Sequence, residues 1–317
     1  MEKELFNDFI KAINKGKNFA IFIHKSPDAD AVGSALAIQA LLKAKKKECY
    51  IYSEDPAPLE TKFMFDHFEI NDNKISKCDT IICLDMSNAS RCGNYSQYID
   101  KTKKQILVLD HHISQDNFGH VVIRDHKMSS TAEIVYFLYK AMEQPITDKV
   151  ALYIYAGIAT DTGCFLHPNT TPSSHRVVAD LLLHKFDVKK ANFELFVRKP
   201  ENYTTMIKIV YKNLKIYDNK LTLVVLNNQT YKKLNNMSLF YIVDALSFYT
   251  TDIMLLVTEK EKNYIKINAR SRTADVQKLC EQFGGGGHKQ AAGAEINMKL
   301  STAVKLIKAA VLNSITE

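Results

Sequence analysis

The chain has 317 residues, of which 46% are hydrophobic and 24% are charged. This length exceeds the usual size of one hydrophobic core, so we expect two globular domains rather than a disordered or fibrous chain. We find no run of about 18 apolar residues, so no membrane span is predicted. The N-terminus lacks the apolar segment of a signal peptide. The six cysteines are scattered without a C-x-x-C pair, which favours reduced thiols in a cytoplasmic protein.

The net charge of +7 is unevenly distributed. Residues 1–190 contain 24 basic and 24 acidic side chains, whereas residues 191–317 contain 18 basic and 11 acidic ones. A basic C-terminal part suits a polyanionic partner, but it is also typical of a solvated, lysine-rich surface. Charge alone favours the second interpretation.

The first part of the chain alternates strand-like and helical patterns. Short apolar runs occur at 19–24, 49–52, 80–85 and 106–112, with a helical pattern between the first two at 31–44. This alternation predicts βαβ units around a parallel sheet, with helices on both faces. Further helices are predicted at 130–143, 147–160 and 173–185. We therefore predict an α/β domain over residues 1–190.

A second, smaller domain follows a polar linker. Residues 191–202 contain Pro200 and mark the boundary. Residues 203–317 predict an α+β domain with a mixed sheet, in which Asp218-Asn219 forms a hairpin turn. The predicted elements are hairpin-like strands at 214–226 and 253–270, a helix at 273–283 and a final helix at 300–313. We expect a cleft between the two domains.

Acidic and imidazole side chains end four apolar segments of the first domain. The groups are His24 with Asp28 and Asp30; Asp85; Asp110 with His111 and His112; and Asp161. In an open parallel sheet, sites form beyond the carboxyl ends of the strands. Three strand ends could therefore meet in one crevice, with Asp161 presented by a neighbouring helix.

Each group also has an ordinary structural explanation. Asp28 and Asp30 suit a turn, Asp85 suits a helix N-cap, Asp161 could end a helix, and His111 could be a buried, hydrogen-bonded ring. Four such coincidences at element ends are harder to accept together. Unpaired buried carboxylates would each cost several kcal/mol, and bound divalent cations remove that cost.

Four carboxylates and two imidazoles exceed the needs of one ion. This donor set favours two Mn²⁺ ions, with Mg²⁺ as the alternative and Zn²⁺ or Fe²⁺ disfavoured. Two ions about 3.5–4 Å apart activate water and hold a phosphoryl oxygen. The predicted reaction is metal-assisted phosphoester hydrolysis.

Five motifs in order resemble those of the DHH phosphoesterases. They are HKSPDADAVGS (24–34), CLDMSNASR (83–91), LDHH (109–112) and ATDTGCF (159–165), followed by FGGGGHKQAAGA (283–294), which resembles the DHH-associated C-terminal domain. The resemblance extends to the nano-RNase and pAp-phosphatase branch. It implies hydrolysis of short 5′-phosphorylated oligoribonucleotides, including linear dinucleotides, to mononucleotides, removal of the 3′-phosphate of 3′-phosphoadenosine 5′-phosphate, or both.

The resemblance also implies roles for the clustered residues. His24, Asp28 and Asp85 would hold one metal. The second would be held by Asp85, now bridging, together with Asp30, His111 and Asp161. His112 would face the scissile phosphate, and Asp110 would orient an imidazole.

Other candidate substrate contacts also have simpler structural explanations. Arg91 lies where the family tends to keep a basic residue near the phosphate, although it could form an exposed salt bridge. Ser130 and Glu133 predict a capping box, with a substrate contact from 129–131 as a secondary interpretation. Cys164 and His167 depart from the family pattern, where Arg and an aromatic residue are expected.

The glycine run at 284–287 predicts a loop that approaches a ligand rather than a flexible linker. It lies between an apolar-striped helix and a short strand, so both neighbours must pack. With the resemblance, substrate binding is expected from the loop and from one of Arg270 and Arg272, and we favour Arg270. The loop residues are Gly285, Gly286, Gly287, His288 and Lys289.

The expected partners are short RNA, dinucleotides or 3′-phosphoadenosine 5′-phosphate, without a membrane or long duplex nucleic acid. A homodimer is common among relatives. The alternatives are a cyclic-dinucleotide phosphodiesterase, a RecJ-like single-strand exonuclease and, outside the enzymes, a nucleotide- or RNA-sensing module. The sensing module is disfavoured because none of the expected metal ligands is missing.

Overall fold

The computed structural model describes residues 3–65, 68, 73–100, 103–113, 116, 118–234, 242–243, 246 and 251–314. The chain forms two compact units, Met1–Arg198 and Lys199–Glu317. Each unit has its own sheet.

The first unit contains a five-stranded parallel sheet. Its strands are β1 (Asn18–Ile23), β2 (Glu48–Tyr52), β3 (Thr80–Leu84), β4 (Gln105–Asp110) and β5 (Val121–Arg124). Their order is β2-β1-β3-β4-β5, and every neighbouring pair is parallel. β1, β3 and β4 are therefore adjacent, and their carboxyl ends lie along one edge.

Helices cover both faces of this sheet. They are α1 (Asn7–Lys15), α2 (Ala29–Ala44), α3 (Asn73–Lys77), α4 (Gln97–Asp100), α5 (Thr131–Ala141), α6 (Asp148–Asp161), α7 (Pro172–Leu181) and α8 (Val188–Asn192). Ile82 and Leu84 pack in a core cluster with residues of α2, α5 and α6. Ile81 and Cys83 point the other way, into a cluster with Ile75 of α3. The alternation follows from the two-residue period of a strand.

A close contact between α2 and α6 brings two site segments together. A Cβ atom at Gly33 would collide with the carbonyl oxygen of Tyr153. The glycine therefore allows the helices to approach closely, and this places the first turn of α2 beside the last turn of α6.

The second unit contains a six-stranded mixed sheet. Its strands are β6 (Leu214–Tyr217), β7 (Leu221–Leu226), β8 (Ile253–Glu261), β9 (Tyr264–Ser271), β10 (Gly286–His288) and β11 (Ala291–Asn297). The order is β10-β11-β9-β8-β7-β6, with β7 and β8 parallel and the other pairs antiparallel. The helices are α9 (Tyr203–Lys212), α10 (Asn228–Lys232), α11 (Val276–Glu281) and α12 (Leu300–Ser314).

The predicted fold class is confirmed, with differences in detail. Asp218 and Asn219 both have positive φ, as the predicted hairpin turn requires. The helix predicted at 273–283 is shorter, and part of the predicted glycine loop is strand β10. β5 was not predicted, because it is a four-residue edge strand with little buried surface. Within the described ranges, no helix is long and apolar enough to cross a membrane.

Candidate active site

The adjacent ends of β1, β3 and β4 carry most of the predicted site residues. His24 follows β1, Asp85 follows β3, and Asp110 is the last residue of β4. Two helix ends complete the set: Asp28 and Asp30 lie at the start of α2, and Asp161 ends α6. The structure thus brings together all eight residues predicted to lie around the metals: His24, Asp28, Asp30, Asp85, Asp110, His111, His112 and Asp161.

His24, Asp28 and Asp85, here called the Asp28 group, have ligand atoms within 4.8 Å of one another. His24 Nε2 lies 3.5 Å from Asp85 Oδ2 and 3.8 Å from Asp28 Oδ2. The other nitrogen, Nδ1, donates to the carbonyl of Lys25 over 2.9 Å, which orients the ring so that Nε2 faces the two carboxylates. Burial disfavours the charged ring, but the two carboxylates outweigh burial and raise the pKa of His24 to about 11.

Asp28 has two separate functions in this geometry. Its Oδ1 accepts the backbone N–H groups of Asp30 and Ala31, so the residue caps α2. Its Oδ2 points toward His24. The cap and the site therefore use different oxygens of one carboxylate, and the two explanations of Asp28 are compatible.

Asp30, His111 and Asp161, here called the Asp30 group, are equally compact. His111 Nε2 lies 3.6 Å from Asp161 Oδ2 and 3.6 Å from Asp85 Oδ1. Asp85 therefore approaches His24 of its own group through Oδ2 and His111 of the Asp30 group through Oδ1. It also has a φ of 59°, a left-handed conformation that is unusual for a non-glycine residue and tends to occur at functional sites.

The N-terminus of α5 holds two of these carboxylates. Asp30 is fully buried and accepts the backbone N–H groups of Thr131 and Ala132, both over 2.8 Å. The hydroxyl of Thr131 donates to Asp85 Oδ1 over 2.9 Å. Burial nevertheless raises the pKa of Asp30 well above its usual range, and repulsion from Asp85 and Asp161 adds to this.

These observations fit divalent cations. Asp161, like Asp30, has a pKa raised well above the usual range by burial and by nearby carboxylates. A divalent cation would remove the repulsion among them, and four carboxylates with two imidazoles are donors that Mn²⁺ accepts. The donor set thus suits ions at both the Asp28 group and the Asp30 group.

His112 is held by a buried carboxylate. Its Nδ1 lies 2.8 Å from Asp110 Oδ1, and Asp110 Oδ2 accepts Nε of Arg124 over 2.8 Å. Burial opposes the charge on Asp110, but its bonds to His112 and Arg124 lower its pKa. The same contact helps to raise the pKa of His112 against the effect of burial.

The loop after Asp161 departs from an extended path. Gly163, Cys164 and Phe165 all have positive φ, and Cys164 is exposed. His167 Nδ1 donates to the carbonyl of Asp161 over 3.1 Å. Asn169 Nδ2 donates to Asp161 Oδ2 over 3.1 Å, so this loop supports the carboxylate of Asp161.

The predicted substrate residues are divided between the two units of the chain. Arg91 is exposed in the 3₁₀ segment Ala89–Ser96, and its carbonyl accepts the N–H of Lys25. The other predicted contacts lie in the second unit. Arg270 is half-buried on β9, Lys289 is exposed after β10, and Gly286 and His288 are the ends of β10.

Two of the glycines have a packing explanation. A Cβ at Gly285 would collide with the carbonyl of Gly293, and one at Gly287 would lie 2.6 Å from the carbonyl of Ala291. These residues therefore allow the hairpin of β10 and β11 to form. At Gly286, a Cβ would meet no atom within 4 Å.

Three residues that support the site were not predicted in that role, and one capping pair was predicted only in part. Thr131 was named only as a secondary substrate contact, and Arg124 and Asn169 were not identified. The capping box was half right: Ser130 accepts the N–H of Glu133, but the Glu133 carboxylate accepts the N–H and hydroxyl of Ser129.

Comparison with known proteins identifies the family. Residues 18–158 match the N-terminal domain of the DHH family, and residues 218–313 match the DHHA1 domain. This chain belongs to the DHH family. A Mycoplasma pneumoniae protein named "Uncharacterized protein MG371 homolog" is 31% identical over 292 residues, covering 89% of this chain and 87% of the relative. The predicted family and its enzyme class, a phosphoesterase, are thereby confirmed.

Two further proteins match across nearly the whole chain. A Bacillus subtilis protein named "Bifunctional oligoribonuclease and PAP phosphatase NrnA" is 26% identical over 297 residues, covering 91% of this chain and 92% of the relative. An exopolyphosphatase-related protein from Bacteroides fragilis has a solved structure with a TM-score of 0.89 at 25% identity. The match covers 98% of this chain and 96% of that one.

Proposed function

We propose that this chain is a two-metal phosphoesterase that hydrolyses short 5′-phosphorylated oligoribonucleotides to mononucleotides, removes the 3′-phosphate of 3′-phosphoadenosine 5′-phosphate, or does both. The observation that carries the proposal is that Asp85, a member of the Asp28 group, has Oδ2 near His24 and Oδ1 near His111 of the Asp30 group. The name of the B. subtilis relative supports this choice of substrates.

The ligands of the two ions follow from the two groups. His24, Asp28 and Asp85 would hold one ion, and Asp30, Asp85, His111 and Asp161 the other, with Mn²⁺ favoured over Mg²⁺. When bound, two such ions supply activation of water and neutralisation of charge on the phosphoryl group. Asp85 has one oxygen toward His24 and the other toward His111, so its carboxylate could serve both ions.

His112 would bind the phosphoryl group rather than a metal. Its Nδ1 contacts Asp110 at 2.8 Å, closer than its 3.7 Å separation from Asp85 Oδ1. The contact with Asp110 holds the ring and favours its charged form, which suits an anionic substrate. Asp110 thus positions His112 and stabilises its charge.

The basic second unit would bind the rest of the substrate. Arg270 is half-buried, and within the described residues it forms no ion pair with a carboxylate. A Cβ at Gly286 would meet no atom within 4 Å, and Lys289, directly after β10, is an exposed cation. We assign substrate binding to these residues and to Gly285, Gly287 and His288, with Arg91 contributing from the first unit. We also propose a cytoplasmic location.

A product analysis tests the proposal. The purified protein is stripped with EDTA, resupplied with Mn²⁺ and given three substrates: a 5′-phosphorylated RNA dinucleotide, a long RNA strand and 3′-phosphoadenosine 5′-phosphate. We expect rapid loss of the dinucleotide, the bisphosphate or both, while the long strand persists. Hydrolysis of none of the three by protein that has bound Mn²⁺ would contradict the proposal.

A further inference from the structure

Arg124 connects three segments beside the candidate site. It ends β5 and lies opposite Asp110 in the parallel pairing with β4. Its Nε donates to Asp110 Oδ2 over 2.8 Å, and its Nη1 donates to the carbonyl of Asp116 over 3.0 Å. Its Nη2 lies 3.5 Å from the carbonyl of Ser87, in the segment after β3. One side chain therefore links the end of β4, the segment that follows β4 and the segment that follows β3.

Asp110 transmits this constraint. It is fully buried, and its two oxygens have different partners: Oδ2 accepts Arg124, and Oδ1 accepts the backbone N–H of His112 over 3.2 Å and contacts its ring nitrogen Nδ1. A carboxylate is planar, so fixing Oδ2 also fixes the direction of Oδ1. The terminal torsion of an aspartate has broad minima, so the bonds to both oxygens are needed to hold the carboxylate in one orientation.

The orientation of His112 depends on the same bond. A partner at Nδ1 fixes the rotation of an imidazole ring, and thereby the direction of Nε2. Without Arg124, only the bonds of Oδ1 to His112 would remain, so the carboxylate and the ring could turn together.

We propose that Arg124 is a positioning residue for His112, acting through Asp110 to orient the imidazole toward the phosphoryl group of the substrate. The role of the imidazole rests on the proposed function, whereas its orientation is a property of the protein itself. A role in stability alone would leave the geometry of the ring unchanged when Arg124 is replaced.

The first test needs neither substrate nor metal. Long-range ¹H–¹⁵N spectra of histidine-labelled protein, recorded at one fixed pH, identify the His112 ring by its loss in His112→Ala. We expect Arg124→Met to shift the His112 ring nitrogens, and Arg176→Met, which removes an exposed arginine of α7, to leave them in place. Unshifted His112 resonances in Arg124→Met would overturn the proposal.

A double-mutant cycle tests the consequence for catalysis. We expect Arg124→Met to lower kcat/KM about tenfold in the otherwise native protein and less than twofold when His112 is already alanine. Arg124→Lys, which keeps the charge without the planar fork, gives the same pattern if the methionine variant does not fold. Equal losses in both backgrounds would contradict the proposal. An inactive native protein would instead contradict the proposed function, and the spectra would still decide the role of Arg124.

Discussion

The hydroxyl of Thr131 donates to Oδ1 of Asp85 over 2.9 Å, across 46 residues of sequence. Thr131 is fully buried and begins α5, and its backbone N–H donates to Asp30. One residue therefore supports a carboxylate beside each of the two proposed ions. The N-terminus of α5 adds a favourable dipole for both negative charges.

Replacing this threonine should weaken metal binding without disturbing the core. Thr131→Val keeps the branched shape but removes the hydroxyl, so Asp85 loses a donor that orients it. We expect Mn²⁺ affinity to fall about tenfold, the scale typical for residues that support metal ligands. Isothermal titration calorimetry measures this, and Thr131→Ser, which keeps the hydroxyl, is the matched control. Equal affinities for the valine variant and the native protein would show that Thr131 does not support the site.

Adjacent glycines of the second unit should respond differently to alanine. A Cβ at Gly285 would collide with the backbone of β11, whereas one at Gly286 enters open space. We expect Gly285→Ala to lower the free energy of unfolding by about 1–3 kcal/mol, as overpacking does, and Gly286→Ala to change it by less than about 0.5 kcal/mol. Urea unfolding compares the two variants directly. Similar stabilities would contradict this packing assignment.

Asp252 should stabilise the segment that follows β9. Its carboxylate accepts the N–H groups of Arg272, Thr273 and Ala274 and the hydroxyl of Thr273. Burial opposes the charge, but these hydrogen bonds outweigh burial and lower the pKa of Asp252. We expect Asp252→Ala to cost about 1 kcal/mol at neutral pH, a value typical of a lost helix or turn cap.

The effect of Asp252 should disappear in acid. Because its pKa is lower in the folded protein, its stabilisation is complete above the unfolded pKa of about 3.9 and is lost as the pH falls through the folded value. The difference in unfolding free energy between native protein and Asp252→Ala should therefore be constant from about pH 5 to 8 and shrink below about pH 4. Asp8→Ala, which removes an exposed carboxylate near Lys11, is the control. A difference that grows in acid would contradict the assignment.

The sequence predicted the strands and helices whose patterns are long and apolar. β1, β3 and β4 are almost wholly buried, so their hydrophobic runs are unbroken. β5 was missed because it lies at the sheet edge, where a single residue, Ile123, is buried. Arg124 was missed for the same reason, because its contact with Asp110 depends on the β4–β5 pairing.

Candidate ligands were predictable because they lie at the ends of strands or at the first or last turn of helices, whereas the residues that support them were not. Thr131 lies 101 residues from Asp30, and only the packing of α2 beside α5 and α6 brings its amide to that carboxylate. The only role predicted for the glycine run was to let the backbone approach a ligand. The approach of β11 to Gly285 could not be inferred from local sequence, because the hairpin pairing was not predicted.

Counting bound manganese in Asp85→Asn tests the central claim most directly. Asparagine tolerates the left-handed backbone of residue 85, so this variant removes the charge with little added strain. Native mass spectrometry and a phosphoester assay are applied to the native protein, to Asp85→Asn and to Asp148→Asn, which changes the opposite end of α6 from Asp161. We expect two Mn²⁺ ions and turnover in the native protein and in Asp148→Asn, but at most one ion and no turnover in Asp85→Asn. Two bound ions with native turnover in Asp85→Asn would contradict the assignment of Asp85 as the bridging ligand.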